Sequence, residues 1–340
     1  MGKYVFYLNR FLYYLSYDVR VEKIEEILCC AIVNGKGKYF GKYVSYLATD
    51  YVNKDKIHEL EYVIKKHVEI IEKNYNFIIK VYHYQLPDFI PFNYHPSNKI
   101  CLGESYDGRF TINFKSYTHM IVGGTTGSGK SNLIASILLN LNCDKLYLDL
   151  KGGADNPLLD YIEVITSIDD CISKLYEIDV LIESRLSMLR ENKKVNLKRL
   201  IVVIDELYPI LLIKNKKEVY SLIGKMLSRC RVAKVSFILC SQRLTTEIIP
   251  SLITANVDVR IAMRVASAQE SLNIIGVSDA FHLKESGLGI VNLNGTLKKF
   301  KAYYVNEEKI GDYIPKLDKN NLTWLFIEET VSRFMLYDFE

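Results

Sequence analysis

The sequence predicts an α/β protein with a mostly parallel sheet covered by helices on both faces, preceded by a small N-terminal α/β domain. Three observations carry this. From about residue 99 onward, short apolar runs alternate with longer stretches of helical periodicity, the rhythm of strand and helix in turn. A glycine-rich stretch, "GGTTGSGKSN" at 123–132, sits between one such run and one such helix. A second run, Ile201 to Ile204, delivers two carboxylates, Asp205 and Glu206, to a strand end.

Residues 1 to about 98 read as a separate unit. Helical spacing over 56–73, "KIHELEYVIKKHVEIIEK", is followed by a mixed apolar run at 77–86 that reads as a strand. Prolines at 87, 91 and 96 then punctuate the chain, which places the boundary ahead of 99–340. Near the N-terminus, "VFYLNRFLYYLSY" at 5–17 holds Asn9 and Arg10 and is too short to span a bilayer; it reads first as a helix packed on its own domain, with Phe6, Phe11, Leu12 and Leu15 the alternative face for a membrane surface or a partner. The N-terminus also lacks the features of a secretory leader.

In the larger part, "THMIVG" reads as a buried strand. After the glycine loop, Leu133, Ile134, Ile137, Leu138 and Leu141 fall at helical spacing. Gly124, Gly129, Lys130 and Ser131 fit G-x-x-x-x-G-K-[ST], the phosphate loop: backbone N–H groups surround phosphates, Lys reaches the β/γ oxygens and Ser holds Mg²⁺. Gly124, Thr125, Thr126, Gly127, Ser128, Gly129, Lys130 and Ser131 are the candidate nucleotide cradle. A Rossmann fold is the competing reading, and it fails because this loop carries Lys130 and Ser131 where that fold needs G-x-G-x-x-G. Further strands are expected at 145–150, 199–207, 236–241 and 259–265, with helices near 168–192 and 217–229.

At the end of "LIVVID", Asp205 is the candidate for holding Mg²⁺ and Glu206 for polarising the attacking water, the division of labour phosphoryl transfer requires. An acidic pair also serves as a helix cap, and it is the phosphate loop upstream that favours chemistry. The next strand ends in Ser241, Gln242 and Arg243, polar groups placed to sense the phosphate or the water. Arg229 and Arg231, ahead of that strand, are candidates for a charge inserted into a neighbouring subunit's site; Arg260 and Arg264 are others.

The formal charge is only +4, from 44 basic and 40 acidic residues, so charge permits a nucleic-acid partner without demanding one. Basic clusters at 191–199, 214–217 and 298–301 read first as solvated faces. Seven scattered cysteines form no C-x-x-C pair, which points to reduced thiols in the cytoplasm and no zinc site.

With these residues set out, the stretch from about 99 to 295 resembles the motor domain of the FtsK/SpoIIIE family of double-stranded DNA translocases. "CLGESYDGRFTINFKSYTHMIVGGTTGSGKSN" carries His119, Lys130 and Ser131 at the family's positions. "YLDLKGG", with Asp149, Lys151 and Gly152, is similar to its D-P-K-G segment, with Leu150 in the proline's place. "VVIDEL" supplies Asp205 and Glu206. "SRCRVAKVSFILCSQR" places Arg231, Gln242 and Arg243, and "LITANVDVRIAMRVASAQES" adds Asn256, Arg260, Arg264 and Ser271. Leu272 stands where the family often has arginine.

The resemblance implies a RecA-like P-loop NTPase fold, ATP and Mg²⁺ at subunit interfaces, a homohexameric ring and duplex DNA in its channel. Glu206, Lys130, Gln242 and Arg231 would then be the catalytic set, and Ser131 and Asp205 the metal ligands. The short plan resembles the relatives found on plasmids, integrative elements and phages. It implies an ATP-driven translocase that moves or hands over element DNA, meeting a relaxase, replication or membrane-channel partner from the cytoplasm. The alternatives are a conjugative coupling or HerA-like ATPase, and a nucleotide-gated DNA-binding scaffold; retention of Glu206 argues against the scaffold.

Overall fold

The computed structural model describes residues 86–313 apart from 95–96, 115, 153–155, 157, 159–160 and 193, and ahead of them residues 20–27, 30–36, 61, 67–73 and 76–82. The apolar stretch at 5–17 and most of 56–66 lie outside the described residues. The chain divides into two compact units, Met1–Pro87 and Asp88–Glu340.

In the first unit, β1 (Arg20–Ile27), β2 (Cys30–Lys36), β3 (Val68–Lys73) and β4 (Asn76–Tyr82) form an antiparallel sheet of order β1-β2-β4-β3. This corrects the sequence reading at one place. The helix expected over 56–73 does not run to its end, because Val68–Lys73 is a strand, with Val68, Ile70 and Ile71 opposite Val81, Ile79 and Ile78. A short apolar run with charges between fits both periods, and β-branched residues facing β-branched partners settle it as a hairpin.

The second unit is built on a ten-stranded sheet of order β6-β5-β14-β13-β12-β7-β11-β10-β8-β9. Its strands are β5 (Lys99–Ser105), β6 (Gly108–Asn113), β7 (Met120–Gly123), β8 (Asp144–Leu148), β9 (Glu163–Ile165), β10 (Leu200–Ile204), β11 (Val235–Ser241), β12 (Val259–Met263), β13 (Leu288–Leu293) and β14 (Thr296–Lys301). From β12 to β9 every pairing is parallel. From β12 outward through β13, β14, β5 and β6 every pairing is antiparallel. The sheet is thus mixed, a parallel block carrying an antiparallel wing. The wing's inner hairpin turns at Asn294 and Gly295, both at positive φ (49° and 91°), the Asn-Gly geometry whose twist suits paired strands.

Helices α1 (Lys130–Asn140), α2 (Ile168–Glu191) and α3 (Lys216–Arg229) supply the layers. Leu133, Ile134, Ile137 and Leu138 of α1 are fully buried and share a core with Ile201, Val203, Ile238 and Cys240. Leu200, Val202, Phe237 and Leu239, equally buried, alternate to the opposite face, where α2 and α3 pack on each other. That double burial explains why these strands read as unbroken apolar runs. Residues 88–94 and 97–98 pack on this unit: Phe92 N donates to Tyr304 O at 2.8 Å and Ser97 N to Asn140 O at 2.7 Å.

Parallel register decides where the site lies. Gly123 pairs with Ser241, and Ile204 with Leu239 and Leu148, so the residues following β7, β8, β10 and β11 leave the sheet at one edge. Ligands of open parallel sheets bind at this carboxyl edge.

Candidate nucleotide site

The loop between β7 and α1 needs its glycines. Gly127 and Gly129 adopt φ of 73° and 94°, where side chains are strained. A Cβ on Gly129 would lie 2.8 Å from Gly287 N, and one on Gly124 would lie 2.6 Å from Ser128 Oγ and 2.8 Å from Met263 Cβ. Neighbouring strands hold the loop. Gly124 N donates to Ser241 O (3.2 Å), Thr125 N to Arg264 O (2.9 Å) and Gly287 N to Ser128 O (2.9 Å). Arg264 also donates to Gly127 O (3.3 Å) and Lys284 O (3.0 Å) from its guanidinium.

Two features of this cradle fit an anion. Helix α1 begins with no side-chain cap, leaving first-turn N–H groups and the positive end of the dipole open at the loop. The Ser128 hydroxyl is buried in the cradle without a hydrogen-bond partner. The adjoining Lys130 is itself only 4% exposed.

Lys130 points across the edge to Asp205, its Nζ 3.3 Å from the backbone oxygen and 3.5 Å from Oδ1. On the other side Lys151 Nζ donates to Asp205 Oδ2 at 2.7 Å. Burial alone would raise the Asp205 carboxyl, but Lys130 and Lys151, with hydrogen bonds from Lys151 and Tyr147, hold it below its ordinary value. Lys151 responds in kind: burial works against its charge, and Asp205 nevertheless raises it. The loop after β8 is itself anchored by Asp149, whose Oδ1 accepts from Lys151 N at 3.0 Å.

Glu206 is buried beside this pair and faces β11. It accepts from Ser241 Oγ at 2.5 Å, from Gln242 N at 3.0 Å and from Tyr208 N at 3.3 Å. Gln242 ties back to the cradle, its Oε1 accepting from Thr126 Oγ1 at 3.0 Å. A continuous polar path therefore runs from the phosphate loop through Gln242 to Glu206. Arg243 instead stacks over the Tyr208 ring, 4.7 Å from its centroid.

The family profile of FtsK/SpoIIIE proteins matches residues 92–282, more than half of the chain. The chain belongs to the FtsK/SpoIIIE family. It is 26% identical over 249 residues to the DNA translocase FtsK of Borreliella burgdorferi, an alignment covering 64% of this chain and 32% of that one. With FtsK of Lactococcus lactis it shares 29% identity over 223 residues, 56% of this chain and 29% of that one. The chain thus spans about a third of the length of these curated relatives. Among solved structures, the pCW3 conjugation coupling protein TcpA, determined with ATPγS, superposes with a TM-score of 0.65 at 20% identity over 92% of this chain and 98% of that one. The cytoplasmic domain of the Thermomonospora curvata type VII secretion ATPase EccC gives 0.54 at 23% identity over 73% and 33%. The fold is the P-loop ATPase fold.

Other residues in the family segments lie away from this edge. Arg231 sits at the opposite, amino edge, where it donates to Thr118 Oγ1 (2.9 Å) and Ser116 O (2.9 Å) and pairs with Asp258 (3.4 Å). It cannot reach this chain's own cradle, and any role at a nucleotide lies in a neighbouring copy. Arg229 is bound to Asp179 and Glu183 of α2, and Arg260 caps Thr254 O (2.8 Å). Asn256 and Ser271 make local hydrogen bonds to Leu252 O and Val277 O. His119 accepts from Phe237 N through Nδ1 at 3.1 Å, and burial holds its pKa down to about 4, so it is a neutral core residue. Lys301, in the 298–301 basic cluster, is buried and paired with Glu285, so it is no solvated cation.

What residue reasoning missed is the Lys151–Asp205 pair and the Ser241 bond to Glu206. Lys151 drew notice only as part of a resemblance. Nothing in sequence spacing signals a contact made across 54 residues. Among the described residues no group of His, Cys, Asp and Glu side chains could hold a metal of its own, and no helix is long and apolar enough to cross a membrane. Cys101, Cys143, Cys171, Cys230 and Cys240 are free thiols.

Proposed function

We propose that this chain is an ATP-driven motor that moves double-stranded DNA, working as a homo-oligomeric ring, and that it hands over the DNA of a mobile element. The observation that carries the reading is the convergence at one sheet edge of an uncapped phosphate loop, buried Lys130, and the carboxylates Asp205 and Glu206. The family's named translocases support the DNA part. The fold shared with a conjugation coupling protein along nearly the whole of both chains supports the mobile-element part.

In this reading the amides of Thr126, Gly127 and Gly129 to Ser131, which the loop's own bonds leave available, cradle the phosphates of ATP, and Lys130 turns from Asp205 to their β/γ oxygens. Ser131 and Asp205 are the residues that would hold Mg²⁺, which supplies charge neutralisation on the phosphoryl oxygens. Glu206 orients the attacking water and accepts its proton. Ser241 and the Gln242 amide fix the carboxylate's orientation, and the Gln242 side chain reports the state of the loop through Thr126. Arg231, exposed at the amino edge, is assigned to the phosphates of the next subunit's nucleotide.

Three variants test these roles together. Lys130→Ala is expected to weaken ATP binding itself. Glu206→Gln is expected to keep binding while turnover falls about a hundredfold or more. Arg231→Ala is expected to bind ATP, assemble and not turn over, with activity partly restored on mixing with Glu206→Gln protein, because some interfaces then hold both intact residues. Near-normal hydrolysis by Glu206→Gln removes it as the base. Near-normal hydrolysis by Arg231→Ala removes the trans assignment.

A further inference from the structure

The Asp205 carboxylate has both oxygens covered by ammonium groups, and the two lysines differ in what nucleotide binding offers them. Lys130 belongs to the phosphate loop, and the phosphates themselves give its ammonium a new anion. Lys151 stands on the other side, on the loop after β8, and its 2.7 Å bond to Oδ2 is the closer of the two. A divalent cation approaching Asp205, directly or through its water shell, needs the oxygen lone pairs that this ammonium occupies, and the two positive charges repel in a site shielded from solvent.

We propose that Lys151 is a resident countercation that fills the metal position at Asp205 before nucleotide arrives and is expelled to solvent by Mg²⁺ with ATP. The inference rests on the nucleotide reading above and goes beyond it by naming what the metal must displace. Asp205 is 4% exposed, and a buried carboxylate without close cations would be costly, so the 2.7 Å Lys151 pair, with Lys130 farther off, supplies charge that a metal would otherwise supply. The Lys151 side chain is 34% exposed, which gives it a route outward that the buried Lys130 lacks. Its backbone stays fixed when the side chain leaves, because Lys151 N is held by Asp149 Oδ1 and Gly152 N by Asp149 O at 3.3 Å. Gly152 follows at φ 98°, and a Cβ there would meet no atom of the described residues within 4 Å. Release of Lys151 thereby exposes a cation beside Asp149 and Gly152 only when the site is loaded, a positioning role distinct from contact with the reacting atoms.

The test uses the full chain and readouts other than turnover. Mn²⁺ binding to nucleotide-free protein, followed by its electron paramagnetic resonance signal, is expected to tighten about tenfold or more in Lys151→Met and Lys151→Gln, the scale on which neighbours tune metal affinity. Binding of a fluorescent ATP analogue without metal is expected to stay within about twofold of wild type in both variants. Unchanged Mn²⁺ affinity overturns the proposal, and so does a parallel loss of metal-free nucleotide binding, which would make Lys151 a phosphate ligand. In wild-type protein, amine-reactive labelling of Lys151 read by mass spectrometry is expected to rise when Mg²⁺ and ATPγS are added together and not with either alone; no rise overturns it without relying on any variant. Failure of wild-type protein to bind the ATP analogue at all would instead sink the nucleotide reading.

Discussion

At the scale of single residues, the cradle is defined as much by what it excludes as by what it offers. Gly129 combines a left-handed φ with backbone from Gly287 where its Cβ would stand. Gly152 has a similar φ, 98°, but no neighbour within reach. The two positions separate conformational cost from collision. Gly152→Ala is expected to lose roughly 1–2 kcal/mol of stability, the cost of the left-handed conformation alone, and to bind ATP normally. Gly129→Ala bears that cost and must also shift the 285–287 segment off the loop, so its ATP affinity is expected to fall by more than about tenfold, near 1.4 kcal/mol. Equal ATP affinity in the two variants, measured by equilibrium binding, would show that contact with Gly287 does not shape the site. The residues of the phosphate loop and the acidic pair were legible in the sequence because each is a local pattern between a strand and a helix. The Lys151–Asp205 and Ser241–Glu206 contacts were not, because strand order in the sheet creates them.

At the scale of elements, the parallel block was legible and the antiparallel wing was not. Strands β7 and β10 are apolar end to end, and β11 and β12 nearly so, because both faces are covered, and such runs stand out. The sequence reading assigns no strand over 99–113, where β5 and β6 lie and β6 alternates exposed and buried residues, and β14, with Lys298 and Lys299, reads as basic surface. The Asn294-Gly295 pair was the available signal for the inner hairpin. In the first unit β3 was taken for helix because its charges obscured its pairing.

The join between β7 and β11 also carries a pH dependence. His119 must be neutral to accept from Phe237 N, and its pKa lies at about 4 against about 6.5 unfolded. Between those values the unfolded chain binds the extra proton, so stability rises with pH and is lost as pH falls from 6.5 towards 4, by up to roughly 3 kcal/mol. His119→Asn keeps an acceptor and removes the titration. The urea midpoint of wild type relative to that variant is expected to fall over this window; a constant difference would contradict the buried neutral state.

At the scale of the whole molecule, the formal charge of +4 leaves little general attraction for DNA, so on the proposed reading grip would come from local cations presented by a ring. On the proposed reading, an edge site completed by Arg231 of a neighbour would make hydrolysis depend on assembly, and displacement of Lys151 would make the exposure of its cation depend on loading. Both features tie chemistry to something outside one subunit's cradle, as a motor requires and a static scaffold does not. The most direct test is displacement of a third strand from a duplex, measured together with ATP hydrolysis. The account predicts that duplex DNA stimulates hydrolysis, that wild-type protein with ATP and Mg²⁺ strips the third strand, and that Glu206→Gln binds the same DNA and strips none. Hydrolysis indifferent to duplex, or binding and turnover without displacement, would contradict translocation.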